Sequence, residues 1–118
     1  MDTPLQCTLI HAPDPKYSAN QNYGAKFIPV WACTLNAHIP ADGRFDVRLW
    51  DVQIDPAKDI DKADVYLFSG INQDCGFLLE INADLKRRFP NSVSCIGGPI
   101  AWSFDQAGSL EQLSPFDH

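Results

Sequence analysis

Two pairs of small residues, each at the end of an apolar segment, are the positions whose type and spacing best suit ligand binding. Ser69-Gly70 closes one such segment, and Gly97-Gly98 closes another and precedes Pro99. Because glycine has no Cβ atom, a flat or bulky group can lie directly against its backbone. The Ser69 hydroxyl can bond a ring nitrogen or a phosphate oxygen. These residues predict a binding slot built from backbone and small side chains, and the alternative is a simple tight turn at the second pair.

The motifs of common nucleotide sites are missing from the loop that follows the first predicted strand. A dinucleotide site needs G-x-G-x-x-G there and a P-loop needs its own glycine-rich motif, whereas residues 13–16 are PDPK. Residues 17–20 (YSAN) are a poor match to the phosphate loop of a flavin mononucleotide site. A phospho-receiver needs a carboxylate after its third strand, where this chain has Ser69-Gly70. The residues therefore favour none of these four chemistries.

Catalysis by this chain alone is not predicted either. His11, His38 and His118 stand at no recognisable spacing from a nucleophile or an acid. The four cysteines form no C-x-x-C pair and fit no zinc or iron–sulfur pattern. They are interpreted as reduced thiols of a cytoplasmic protein. Cys75 falls in a predicted loop near the ligand edge of the sheet.

Length and charge predict one domain, residues 1–118, without nucleic-acid or membrane partners. The chain has 118 residues, 45% of them apolar, which suits a single core. Nine basic and fifteen acidic residues give a net charge of −6, which disfavours phosphate backbones. No apolar run approaches the ~20 residues that span a bilayer, and the first residues show no signal-peptide pattern. The expected location is cytoplasmic.

Alternating strand and helix patterns predict an α/β fold with a flavodoxin-like (Rossmann-like), doubly wound parallel sheet. The predicted strands are 5–11, 45–51, 63–71 and 92–96, and the predicted helices are 28–39, 76–89 and 103–113. An apolar stripe at helical spacing predicts the buried face of the first helix. It consists of Ile28, Trp31, Ala32, Leu35 and Ile39. Because ligands bind outside the carboxyl ends of parallel strands, both small-residue pairs fall at the ligand edge.

The sheet is also predicted to lack its last strand. Residues 114–118 (SPFDH) stand where a fifth strand would begin in this fold. The fourth strand would then be an exposed apolar edge, and such edges are usually covered by another chain or segment. This pattern predicts a fragment of a longer protein, or pairing of the fourth strand with a second copy or a missing C-terminal domain.

Taken in order, the segments resemble the cobalamin-binding domain that precedes the catalytic barrel in cobalamin-dependent radical S-adenosylmethionine enzymes. The resemblance covers roughly residues 5–118. It rests on a first strand that ends in proline, a proline-led helix, a second strand, a third strand that ends in a small hydroxyl residue, and a strand that closes in Gly-Gly-Pro. These are LIHAP (9–13), FIPVWAC (27–33), FDVRLWD (45–51), ADVYLFSG (63–70), and LKRRFP (85–90) followed by SVSCIGGP (92–99).

The resemblance implies base-off cobalamin across the carboxyl ends of the strands, with its nucleotide tail buried beside the sheet. It implies that Ser69, Gly97 and Gly98 lie along the tail, so that a bulky residue at Gly98 would fill the slot and leave the fold intact. The corrin would lie beside the residues that follow the third and fourth strands. The implied cofactor-binding residues are Ser69, Gly70, Ile71, Asn72, Gly97, Gly98, Pro99, Ala101 and Trp102.

Two family signatures are absent from the chain. Without D-x-H-x-x-G, which marks methionine-synthase-type domains, no histidine ligand to cobalt is assigned. Without C-x-x-x-C-x-x-C, the iron–sulfur cluster and S-adenosylmethionine would belong to a missing domain of a methyltransferase-like enzyme. Two alternatives stay open: a cofactor-free flavodoxin-like interaction or regulatory domain, and a module for a different nucleotide-like ligand at the same strand ends.

Overall fold

The computed structural model describes residues 3–17 and 28–118, and its centre is a four-stranded sheet in which all strands are parallel. The strands are β1 (Leu5–His11), β2 (Phe45–Asp51), β3 (Val65–Ser69) and β4 (Val93–Gly97). Their order in the sheet is β2-β1-β3-β4. The predicted flavodoxin-like α/β architecture is confirmed, with β2 at an edge and β1 and β3 in the centre.

Helices cover the sheet on both faces. They are α1 (Val30–His38), α2 (Cys75–Arg88) and α3 (Pro99–Gln106), with short 3-10 turns at Ala57–Asp59, Asn72–Asp74 and Leu110–Leu113. Ile10, Tyr66 and Phe68 form one core with buried residues of α2 and α3. Because side chains alternate along a strand, the residues next to these three point to the opposite face of the sheet. On that face, Trp31 of α1 donates a hydrogen bond to His11. Among the described residues, no helix is long and apolar enough to cross a membrane.

Helix α2 carries the face that its sequence predicts. Leu78, Ile81 and Leu85 are buried at helical spacing and contribute to the core. The basic residues of its last turn are held by the protein itself, because Arg88 bonds the Asp84 carboxylate and the backbone carbonyls of Ala57 and Ile60. This helix is therefore fixed at both its face and its carboxyl end.

The predicted buried stripe of the first helix is wrong at Ile28 and Leu35. Helix α1 begins at Val30 rather than residue 28, and its buried residue is Ala32. Ile28 is 77% exposed and Leu35 is 39% exposed. Leu35 is exposed because it borders a cavity between α1 and the neighbouring part of β3 and β4, whereas Ile28 precedes the helix and lines a different cavity.

The third helix starts earlier than its predicted boundary of residue 103. Gly98 has φ +81° and ψ −158°, a backbone that turns the chain sharply, and Pro99 then occupies the first turn of α3. The helix ends before Gly108, whose φ is +69°, and residues 110–113 form a separate 3-10 turn. The Ile100 N–H donates to the Gly70 carbonyl at 3.0 Å, which ties the start of α3 to the end of β3.

The outer edge of β4 is covered in part by the last residues of the chain. The His118 N–H donates to the Ser94 carbonyl at 3.1 Å, and the Ile96 N–H donates to the His118 carbonyl at 2.9 Å, in the manner of a parallel strand. The Asp117 carboxylate accepts bonds from the Ser94 N–H and the Lys86 ammonium. No fifth strand is assigned in the described part of the chain, but the predicted exposed edge is occupied at Ser94 and Ile96.

Candidate functional site

A cavity of about 320 Å³ opens where the strand order reverses, at the carboxyl ends of β1 and β3. Because β2 and β4 lie on opposite sides of this central pair, the loops after β1 and β3 diverge and leave a crevice between them. His11 and Pro13 form one wall, and Ser69, Gly70 and Ile71 form another. This crevice is the place where open α/β sheets usually bind ligands.

A second cavity, of about 560 Å³, continues beside the sheet between α1 and the strands β3 and β4. Leu35 faces it from α1, and Leu67 and Cys95 face it from the strands. Trp31 and Ser69 line both cavities. The two spaces therefore adjoin, and together they form a cleft with an upper chamber at the strand ends and a side slot along the sheet.

Trp31 and His11 join α1 to the end of β1 at the wall of the upper chamber. The Trp31 Nε1–H donates to His11 Nδ1 at 3.0 Å, so Nδ1 acts as an acceptor and a neutral ring carries its proton on Nε2. His11 is only 7% exposed. The sequence predicts a buried position for Trp31 and indicates no chemical role for His11. The sequence contains one indication that His11 lies near the site. It ends a predicted strand, and the carboxyl ends of parallel strands form the ligand edge.

Asp74 fixes the two loops that form the chamber. Its carboxylate accepts from the Asp14 N–H at 2.9 Å and from the Ile71 N–H at 3.2 Å. Asp14 and Asp74 are both buried. One side chain thus binds the loop after β1 and the loop after β3. No local pattern could reveal this role, because Asp14 and Asp74 are 60 residues apart in the chain.

Gly97 and Gly98 serve different purposes. A Cβ atom on Gly98 would clash with the Ser69 Oγ, and the positive φ of Gly98 disfavours any side chain. A Cβ atom on Gly97 would have no neighbour within 4 Å, so this glycine borders open space in the side slot. The expectation that a bulky residue at Gly98 leaves the fold intact is therefore corrected, and Gly97 is the position at which a side chain fills the slot.

Most of the predicted cofactor-binding residues line the cleft. These are Ser69, Gly70, Ile71, Gly97, Gly98 and Pro99. Asn72, Ala101 and Trp102 do not line either cavity. The Asn72 amide donates to Ser103 Oγ at 2.8 Å, Ala101 packs against the core, and Trp102 is 68% exposed on the first turn of α3.

The walls of the cleft are mainly apolar and carry few polar side chains. His11 and Asp74 line the upper chamber, and both are engaged in the bonds described above. Thr34 and His38 line the side slot from α1, where His38 Nδ1 lies 2.8 Å from the Thr34 carbonyl oxygen. The Ser69 hydroxyl stands where the two spaces meet. A ligand in the cleft would therefore be held mainly by apolar contact, with a few polar groups to orient it.

Burial raises the pKa of three of the four thiols, one of which lines the cleft. Cys95 faces the side slot, and burial raises the pKa of its thiol. Burial also raises the pKa of Cys75, at the start of α2, and of Cys7 on β1. These three thiols therefore stay protonated at neutral pH. Within residues 3–17 and 28–118, no group of three or more His, Cys, Asp or Glu side chains is placed to hold a metal ion.

Comparison of the chain with family models, with curated proteins and with solved structures finds no match. The adjoining cavities have room for an extended organic ligand that reaches from the strand ends into the side slot beside Gly97.

Proposed function

We propose that this chain is a cobalamin-binding module, the cofactor domain of a methyltransferase-like radical S-adenosylmethionine enzyme. The observation that carries the proposal is the adjoining pair of cavities, about 320 and 560 Å³, that meet at Trp31 and Ser69. Base-off cobalamin also has two parts, since a corrin ring carries a long tail that ends in a flat dimethylbenzimidazole, and the tail would take the larger space beside the sheet. Both volumes suit parts of an organic ligand.

The side slot supports the proposal through its bare backbone. Gly97 borders open space, so a flat ring could lie against β4 where any larger residue would project. Leu67 and Cys95 offer half-buried apolar surface to such a ring, and the Ser69 hydroxyl offers one polar contact at the mouth of the slot. A tail held there would cover the sheet surface that α1 leaves open.

The rim of the upper chamber supports the proposal through its exposed apolar side chains. Ile28 and Ile71 line the chamber and are 77% and 48% exposed. Large apolar side chains gathered at an opening commonly mark a ligand or partner surface. The face of a corrin ring would cover them.

In this proposal the protein supplies binding and orientation, and cobalamin, when bound, supplies methyl-transfer or radical chemistry. No protein ligand to cobalt is assigned, and His11 already accepts a hydrogen bond at Nδ1 from Trp31. The proposal includes a cytoplasmic location, where free cysteines stay reduced, in keeping with the four free thiols of the chain.

Titration with hydroxocobalamin tests this function. The purified chain is mixed with the cofactor, desalted, and examined by its visible spectrum. The wild type is expected to retain colour with a shifted corrin spectrum. Gly97→Leu is expected to lose at least about tenfold in affinity, because its side chain enters the slot. Gly76→Leu is the matched control, since Gly76 also has open space around its Cβ position but lies on α2, outside both cavities.

Two results would count against the proposal. A folded wild type that retains no colour would overturn it, and the cofactor-free interaction domain or a site for another nucleotide-like ligand would take its place. Equal affinity in Gly97→Leu and Gly76→Leu would show that the tail does not use the side slot.

A further inference from the structure

The outer edge of β2 has backbone groups that bond no other described residue. Among the described residues, β2 is the last strand on its side of the sheet and pairs only with β1. The Leu5 N–H donates to the Arg44 carbonyl, and the Val52 N–H donates to the His11 carbonyl. Because the direction of these groups alternates along a strand, the N–H and C=O groups of Phe45, Val47 and Leu49 point away from β1.

This edge has little of the protection that edge strands usually carry. Its register with β1 runs unbroken over seven residues, without a bulge, and β2 contains no proline. Leu49 is 44% exposed, and Phe45 and Val47 are half-buried. The charged residues of β2 are Asp51, which ends the strand, and Asp46 and Arg48, whose side chains have an N···O distance of 3.7 Å. The opposite signs of Asp46 and Arg48 make the edge complementary to itself.

We propose that the β2 edge binds a second copy of this chain by antiparallel strand pairing about a two-fold axis through Val47. In that register, Asp46 of each copy lies opposite Arg48 of the other, and Phe45 lies opposite Leu49. The outward groups of residues 45, 47 and 49 become hydrogen-bonded pairs. Asp46 and Arg48 then occupy the non-hydrogen-bonded positions, where opposed side chains are closest.

The charge pattern selects this register over the one with the greatest overlap. An axis through Arg48 would pair all seven residues of β2 but would place Arg48 opposite itself. Like charges directly opposite each other destabilise a strand pair. An axis through Val47 pairs fewer residues of β2 than an axis through Arg48. It gains two pairs of opposite charges, because the two-fold axis repeats each contact.

The paired strands would form one sheet of eight strands, four from each copy. The cleft lies between α1 and the ends of β1, β3 and β4, so the second copy would not block it. The inference is independent of cobalamin. The opposite edge of the sheet is a weaker candidate for pairing, because residues 117 and 118 already bond Ser94 and Ile96 there.

Sedimentation equilibrium over a range of concentrations tests the dimer. The measurement belongs at physiological ionic strength, where the repulsion between two chains of net charge −6 is largely screened. The wild type is expected to dimerise. Arg48→Asp is expected to weaken the dimer at least about tenfold, because it replaces two attractive pairs by two repulsive ones. The double variant Asp46→Arg with Arg48→Asp restores opposite charges and is expected to recover the affinity to within about threefold.

Arg48 is well exposed, so these charge variants are expected to fold, which circular dichroism verifies. A wild type that stays monomeric up to about 1 mM would overturn the proposal. A dimer whose affinity is the same in Arg48→Asp would overturn it as well. A second variant, Val47→Pro, removes an outward N–H while leaving the bonds to β1, and a folded Val47→Pro chain that dimerises like the wild type would also contradict edge pairing.

Discussion

Gly97 and Gly98 are adjacent at the end of β4, and the sequence presents them as an equivalent pair. Their backbones differ, since only Gly98 has a positive φ, and only its Cβ position lies against Ser69. Sequence composition can place glycines at a strand end, but it cannot say which one the backbone requires. That distinction depends on Ser69, which belongs to another strand and is far from both glycines in the chain.

Alanine at each glycine is expected to separate the two roles. Gly98→Ala should lower the free energy of unfolding by about 1–3 kcal/mol, because the new side chain meets Ser69 and disfavours the native φ. Gly97→Ala should leave stability unchanged or raise it by up to about 1 kcal/mol, because its Cβ enters open space and the unfolded chain loses freedom. Urea denaturation of the ligand-free chain measures both, and equal losses would contradict the assignment.

At the scale of elements, periodicity predicted the strands and α2 well. Apolar and polar residues alternate along β2 from Phe45 to Leu49. On α2, Leu78, Ile81 and Leu85 form an apolar stripe that is buried in the core. The stripe of α1 is equally apolar in sequence, yet Leu35 borders a cavity. An amphipathic pattern predicts which face of a helix favours burial. It does not predict whether another part of the protein lies against that face.

The cleft shows the same limit of prediction from sequence, here for contacts between elements. Its small-residue ends could be predicted because they belong to single strands, at the carboxyl edge of a parallel sheet. The bonds from Trp31 to His11 and from Asp14 to Asp74 join different elements and leave no local trace in the sequence. The predicted start of α3 at residue 103 is too late, because Gly98 followed by Pro99 fits both a turn after a strand and the start of a helix.

The attachment of the last residues to β4 is expected to depend on pH through Asp117. The Lys86 ammonium and the Ser94 N–H hold the pKa of the Asp117 carboxyl below its usual value of about 4. A lowered pKa means that the carboxylate contributes stability above the usual value, and that this contribution is lost as pH falls through the lowered value. Asp117→Asn should therefore cost stability at pH 7 and little at acidic pH.

The cost at pH 7 should be at most about 1 kcal/mol, because the Asp117 side chain is 41% exposed and solvent screens the ion pair. Denaturation of wild type and Asp117→Asn across the acidic range gives the comparison. Asp105→Asn is a suitable control, because Asp105 is exposed on α3. A difference between wild type and Asp117→Asn that stays constant down to the most acidic pH would show that the carboxylate charge does not hold the tail.

At the scale of the whole molecule, the two faces of the sheet are unequally packed. The face under α2 and α3 carries the continuous core, which includes Ile10, Tyr66 and Phe68. Among residues 3–17 and 28–118, the face under α1 is covered only in part, and the side slot lies over the half-buried residues of β3 and β4. A ligand in that slot would cover the open part of this face, so its binding would also stabilise the fold.

This coupling predicts a thermal shift. A ligand that binds only the folded chain stabilises it by about 2.7 kcal/mol at a free concentration of about 100 times its Kd. For a domain of 118 residues, that corresponds to a rise in Tm of roughly 10 °C. Hydroxocobalamin should produce this rise in the wild type and in Gly76→Leu, and much less in Gly97→Leu at the same concentration. A corrin spectral shift without a rise in Tm would mean that cobalamin binds the unfolded chain as well as the folded one, which would contradict a site built by the fold.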